Sequence, residues 1–183
     1  ARVPAAAPGS SAAYSRVGML ILRWGSSASP AHCGTSARSL VNQSVSAGDV
    51  ILLTGELGSG KTCLTQGIAL GLGVPGYVRS PTFVLMTRHR GRLTLHHVDL
   101  YRMGSPAEAW DLGLDEQLFG EGLCVIEWAD RAAEIFPADC LWIDLHYGCD
   151  PNSRYITLEP GVDLKKSRFQ RMLHLLEGNA EFK

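Results

Sequence analysis

Hydrophobic and polar positions divide most of the chain into short strands and helices. At 50–54 the run VILLT is apolar at four successive positions. A continuous run without alternation is the pattern of a strand covered on both faces. GELGSG follows, then CLTQGIALGL, which reads as an apolar helix. The chain is therefore predicted to form a strand at 50–54, a glycine-rich turn and a helix at 61–72. MLILRW predicts a strand at 19–24, and two more are expected at 83–89 and 92–100, joined by a turn at RHRGR. LCVIE predicts a short strand, and PADCLWIDLHYG and SRYITLEP supply two further candidates. A helix at 30–45 has Ser29 as its N-cap and Pro30 at its first position. Another is started by Ser105 and Pro106, with Glu108 completing S-x-x-E. A closing helix at 167–177 places Phe169, Met172, Leu173 and Leu176 on one face. Between these elements GVPGYVRSPTF reads as a loop with extended character, because Pro81 biases Ser80 away from helix. Strands alternating with helices predict an α/β three-layer sandwich with a mainly parallel central sheet.

The turn between the first two elements carries chemistry. Gly55, Gly60, Lys61 and Thr62 fit G-x-x-x-x-G-K-[ST], the phosphate-binding loop, in the strand–turn–helix context it requires. Gly55, Gly58 and Gly60 let the backbone curl until successive N–H groups point inward at phosphate oxygens. The helix after Gly60 adds a positive N-terminal dipole. Lys61 is expected to reach the β- and γ-phosphates and Thr62 to ligand Mg²⁺. The nucleotide-binding set is Gly55, Leu57, Gly58, Ser59, Gly60, Lys61, Thr62 and Cys63, and the fold is expected to be P-loop NTPase-like.

Composition narrows the classes without adding chemistry. The 183 residues suffice for one domain with a real core, and the net charge of −1 gives no overall electrostatic case for nucleic acid. No run of 18 apolar residues exists, so no membrane span is expected. Five scattered cysteines without a C-x-x-C pair argue against structural zinc and against a disulfide framework. Residues 1–48 contain no Asp or Glu, and Arg2, Arg16, Arg23 and Arg38 stand among Ala, Ser, Gly and Pro. Residues 1–16 thus read as an organellar transit-peptide remnant or a disordered leader. Residues 17–183 are expected to form a single domain, located in a chloroplast stroma or mitochondrial matrix if the leader is a transit peptide and in the cytoplasm otherwise.

A phosphate loop by itself binds nucleotide; hydrolysis or transfer needs an acidic residue at another strand end. LHHVDLY offers Asp99, LCVIEWAD offers Glu127 and LWIDLHY offers Asp144. Asp99 and Glu127 follow apolar runs where strands should end, and sites in open parallel sheets form at those ends. Asp144 lies inside an alternating pattern and is expected to face solvent.

GELGSGKTCLTQGIALGLGV, SPTF, HHVDLYR, EAWDLGLDEQLF and CVIEWAD occur in that order at short spacings. Together they resemble the TsaE family (formerly YjeE), small ATPases of tRNA threonylcarbamoyladenosine formation. The resemblance runs from about 29 to 160. It implies that Leu57 to Thr62 wrap the phosphates of ATP, that Thr62 and Glu127 hold Mg²⁺, and that Asp99 acts near the γ-phosphate as a catalytic group beside Lys61. Ser80, Pro81 and Thr82 would form a switch-like loop, and Trp128 follows the metal-binding Glu as in the family. Ser59 stands where the family usually has Ala. The implied partners are a TsaD-like transferase and a TsaB-like subunit, with tRNA met only through the complex and no membrane involved.

Other readings remain open at this level. A P-loop kinase of a small metabolite would use the arginines of RHRGR as a phosphate lid, although a solvated hairpin turn is the favoured reading of those arginines. A GTPase is disfavoured by the lack of N-K-x-D and D-x-x-G. A binding-only module would dispense with Asp99 and Glu127. Arg79, Arg88, Arg90, Arg92, His96 and His97 would supply a local basic patch for RNA. Arg102 and Arg131 follow the two carboxylates closely enough to approach the site, or to pair with the acidic helix at 108–116.

Overall fold

The computed structural model describes residues 19–23, 45–105, 107–108, 113–118, 120–149, 153–162 and 169–170. The expected leader, the helix at 30–45 apart from Val45 and most of the closing helix lie outside them. The described elements are β1 (Met19–Arg23), β2 (Asp49–Gly55), α1 (Lys61–Gly71), β3 (Met86–His89), β4 (Leu95–Asp99), α2 (Leu114–Leu118), β5 (Leu123–Glu127), a 3₁₀ segment (Ala129–Ile135), β6 (Leu141–Tyr147) and β7 (Ser153–Pro160).

Seven strands form one sheet in the order β1-β7-β6-β2-β5-β4-β3. β6, β2, β5 and β4 run parallel to one another, while β3 and β7 are antiparallel to β4 and β6. β1 pairs antiparallel with β7 and so shares the direction of the parallel core. Five of the seven strands therefore point one way, which is the mainly parallel sheet that the pattern predicts.

The central β2 is apolar on both sides. Ile51 and Leu53 belong to one buried cluster, with Leu64, Ile68 and Leu72 of α1 and its C-terminal end. Val50 and Leu52 belong to the other, with Val98, Leu114, Ile126 and Ala129. Two cores on opposite faces of one sheet make the three layers. Phe169, the one member of the expected closing face that is described, is fully buried in the first. The lateral β7 alternates, as a strand with a wetter face should. Cys124 and Cys140 are buried, and burial pushes both thiols up to about 12, in keeping with apolar packing.

Register decides what meets at the sheet edge. Leu53 pairs with Glu127, and Glu127 with Asp99. The ends of β2, β5 and β4 thus line up, with the glycine-rich turn leaving from the same edge. At the other edge Asp49 pairs with Leu123 and Leu123 with Leu95. The RHRGR turn enters β4 there, with the Arg92 N–H on the Leu72 carbonyl at 2.6 Å. A five-residue strand spans roughly 15 Å. The arginines of RHRGR, a phosphate lid only in the kinase reading, therefore lie at the strand ends away from the phosphate loop.

Local geometry corrects three further expectations. The strand expected at 83–89 begins only at Met86, because Val84 and Leu85 turn back onto the Pro81 carbonyl and Leu85 has φ 64°. The strand expected at 92–100 is five residues, Leu95–Asp99. After Glu127 the chain enters a 3₁₀ segment that the hydrophobic pattern does not announce, through Trp128 at φ 60°. At Ser105 the capping box is rearranged: Glu108 accepts from the Ser105 hydroxyl and the Gly104 N–H, each at 3.3 Å.

Candidate functional site

The glycine-rich turn is shaped by backbone angles that side chains resist. Gly55, Gly58 and Gly60 have φ of 124°, 77° and 111°. A Cβ on Gly55 would run into the Leu145 carbonyl, and one on Gly58 would sit 2.7 Å from the Tyr147 hydroxyl. Gly60 is the N-cap of α1, no side chain caps that helix, and its first turn contains no acid. The first turn of α1 thus has no capping side chain and no acid of its own to compete with an anion.

Lys61 is 4% exposed. Its ammonium donates to the Gly55 carbonyl at 2.5 Å and the Glu56 carbonyl at 2.9 Å, and lies 3.7 Å from the centre of the Trp128 ring. Burial pushes it below its ordinary value of 10.5, against the upward pull of Glu127, Asp130, Asp99 and Asp144. The cation is poorly hydrated, and the groups in direct contact with it carry only partial charge.

Thr62 Oγ1 donates to Glu127 Oε2 at 2.8 Å. Glu127 is 2% exposed. Its other oxygen lies 2.7 Å from His97 Nε2 and 3.4 Å from Thr65 Oγ1. His97 Nδ1 is buried without a partner, so the ring proton that the carboxylate accepts belongs on Nε2. Next to it, Asp99 is also 2% exposed. Its Oδ2 accepts from Ser80 and Thr82 at 2.5 Å each, and its Oδ1 accepts from the Tyr101 N–H at 2.9 Å. The segment 80–82 is therefore tied to the end of β4.

The other sequence candidates fall out as follows. Cys63 is half-buried in the first turn of α1 and Leu57 is exposed on the loop. Asp144 is not simply solvent-facing: half-buried on β6, it accepts from Thr54 at 2.9 Å and pairs with His146 at 2.7 Å. His96 and His97 are 5% and 0% exposed, so neither belongs to a surface basic patch. Arg131 donates to the Met103 carbonyl at 3.1 Å and lies over Tyr101 and Trp128, while Arg102 lies over Phe83. His97, Thr65, Tyr147 and Arg154 touch the site and were not singled out for it by spacing. A polar pair in the fully buried strand LHHVD was the available signal for His97.

The residues fit a bound nucleotide with magnesium. The cradle is formed, and a hydroxyl and a carboxylate already converge at Thr62 and Glu127. No group of three or more His, Cys, Asp or Glu among the described residues makes a metal cage. A phosphate-bound Mg²⁺ needs none, since it takes one or two protein oxygens, phosphate oxygens and waters. Inside the loop, Ser59 Oγ is buried with no partner. An unsatisfied buried hydroxyl costs about 1–3 kcal/mol. Ser59→Ala is therefore expected to raise the melting temperature of the ligand-free chain by about 2–4 °C or more, since about 1 kcal/mol gives that shift at this size. A lower melting temperature would mean that the hydroxyl contributes a bond.

Comparison with known proteins agrees with this geometry. Residues 27–156 match the family described as "Threonylcarbamoyl adenosine biosynthesis protein TsaE". A Treponema pallidum protein named "tRNA threonylcarbamoyladenosine biosynthesis protein TsaE" is 43% identical over 119 residues, 65% of this chain and 87% of its own. A Nostoc sp. protein of the same name is 39% identical over 126 residues, 66% of this chain and 76% of its own. The crystal structure of Bacillus subtilis YdiB is similar with a TM-score of 0.68 at 32% identity, over 87% of this chain and 95% of that one. With a family match across most of its length, and with the phosphate loop, Asp99 and Glu127 gathered at one sheet edge, this chain belongs to the TsaE family.

Proposed function

We propose that the chain is a Mg²⁺-dependent ATPase, weak by itself, whose hydrolysis of ATP supports or resets an assembly forming threonylcarbamoyladenosine on tRNA. The supporting observation is the convergence at one sheet edge of Lys61, the Thr62–Glu127 contact at 2.8 Å and the buried Asp99. The pathway comes from the names of the relatives. The residues Gly55, Leu57, Gly58, Ser59, Gly60, Lys61, Thr62 and Cys63 would hold the phosphates. Thr62 and Glu127 would hold Mg²⁺, which when bound neutralises charge on the β- and γ-oxygens. His97 and Thr65 orient the Glu127 carboxylate, and Asp99 orients the attacking water. A TsaD-like transferase and a TsaB-like subunit are the proposed partners, with tRNA reached through them. No helix among the described residues is long and apolar enough to cross a membrane. An organellar stroma or matrix is proposed on the acid-poor leader alone. The competing kinase reading loses its support, because the RHRGR turn enters β4 at the edge away from the phosphate loop.

The two carboxylates separate in a binding and turnover experiment. Glu127→Ala is expected to move the Mg²⁺ requirement to higher concentration, because a direct ligand is lost. Asp99→Asn is expected to bind ATP nearly normally and hydrolyse it slowly, because it acts on the reacting group rather than on binding. Titration of ATP at several Mg²⁺ concentrations, with phosphate release measured in parallel, reads both. Loss of ATP binding in Asp99→Asn, with unchanged metal dependence in Glu127→Ala, would reject the assignment.

A further inference from the structure

β6 and β7 carry none of the phosphate-loop residues, yet their side chains hold that loop from outside. Tyr147 at the end of β6 donates its hydroxyl proton to the Leu57 carbonyl at 2.6 Å. Its partner across the ladder, Arg154 of β7, donates from Nε to the Ser59 carbonyl at 3.0 Å. The guanidinium lies over the Tyr147 ring at 4.5 Å, and its Nη1 is fixed on the Ser153 carbonyl at 2.7 Å. The contact is close, since a Cβ on Gly58 would meet the Tyr147 hydroxyl.

A peptide unit is planar, and its C=O points opposite to the N–H of the next residue. Holding the Leu57 carbonyl outward therefore turns the Gly58 N–H inward. Holding the Ser59 carbonyl outward does the same for the Gly60 N–H. The peptides next to Gly58 and Gly60 are the ones most free to rotate away, because glycine resists few backbone angles. The Ser59 N–H, between them, is occupied by the Glu56 carbonyl at 3.1 Å. The N–H groups of the two braced peptides carry no such bond among the described residues.

We propose that Tyr147 and Arg154 are positioning residues that preset the phosphate loop, aiming the Gly58 and Gly60 N–H groups at the nucleotide phosphates. The inference rests on the nucleotide-binding reading for its ligand, but the brace exists in the ligand-free chain. Preorganised donors cost no rearrangement when phosphate arrives. The benefit is the same for ADP and ATP, because the braced groups do not depend on the γ-phosphate.

The test uses the full chain with Tyr147→Phe and Arg154→Gln, and ADP, ATP and Mg²⁺ as probes. Each variant is expected to bind ADP and ATP about tenfold more weakly, the effect of one lost hydrogen bond of this kind. The Mg²⁺ concentration for half-maximal effect stays unchanged. In the ligand-free variants, ¹⁵N relaxation at Gly58 and Gly60 should report lower order parameters than in the unaltered chain. Arg154→Lys should remain weakened, because an ammonium lacks the Nε–H held in place by the fixed Nη1. Affinity within twofold of the unaltered chain in both variants, or unchanged order parameters at both glycines, overturns the brace. Failure of the unaltered chain to bind ADP or ATP would instead overturn the nucleotide reading, and the glycine amides would still decide the brace.

Discussion

Phosphate release by the isolated chain is expected to be slow, and to rise by about 10³–10⁵-fold when the transferase subunits and tRNA are added. That range is what an arginine finger contributes in nucleotide hydrolases that use one. Hydrolysis through a loose transition state depends on positive charge arriving at the γ-phosphate. Lys61 and Mg²⁺ would supply part of it. The arginines near the site are otherwise engaged: Arg131 on the Met103 carbonyl, Arg154 on the Ser59 carbonyl, and Arg102 over Phe83. The segment 80–82 offers the coupling. Ser80 and Thr82 both bond to Asp99, and Phe83 beyond them is 82% exposed. A change at the γ-phosphate felt by Asp99 would thus alter the surface that Phe83 presents to a partner. The measurement is steady-state phosphate release before and after adding the purified subunits and tRNA. Fast turnover by the chain alone, insensitive to those additions, would remove both the missing charge and the coupling.

Lys61→Ala is expected to lower ATP hydrolysis by about 10²–10³-fold, the usual loss when an electrostatic contact to the developing charge is removed. Nucleotide binding should weaken with it. The ammonium is held by two loop carbonyls and the Trp128 ring, none of which carries a full negative charge. Phosphate is a better partner than any of these, so the same cation is ready to transfer. Stability follows with a defined sign. Burial lowers the Lys61 pKa in the folded chain below 10.5. Between the two values the unfolded chain binds more protons, so the Lys61 contribution makes stability rise with pH in that window. Lys61→Ala should flatten that rise in denaturant titrations. Unchanged hydrolysis in the variant, or a marked preference for GTP over ATP in a binding titration, would contradict the ATPase reading.

Much of the candidate site was legible along the chain because its determinants are local. The phosphate loop needs glycines at positive φ, a Lys and a Thr at fixed spacing, with a strand before and a helix after. All of these lie between Val50 and Leu72. Asp99 and Glu127 were legible for a second local reason: each ends an apolar run, and a carboxylate at the end of a buried strand is worth explaining. The 3₁₀ segment after Glu127 was not legible. It begins at Trp128 in a left-handed conformation, which a bulky residue adopts only when its surroundings hold it there.

The sequence by itself determined the α/β class, the phosphate loop and the two carboxylates, since periodicity and spacing act over a few residues. Tertiary structure decided which of those pieces meet. Strand order placed β5 between β2 and β4, and register put Leu53, Glu127 and Asp99 in one row. The same register carried the RHRGR turn to the opposite edge and buried His97 against Glu127. Tyr147 and Arg154 reach the loop from strands about 90 residues further along the chain, through single hydrogen bonds to backbone carbonyls. A carbonyl is the same at every residue, so such a bond leaves no mark at the position that accepts it. Only the folded sheet, which fixes distance and direction together, selects which carbonyl is held and hence which N–H is turned toward the phosphates.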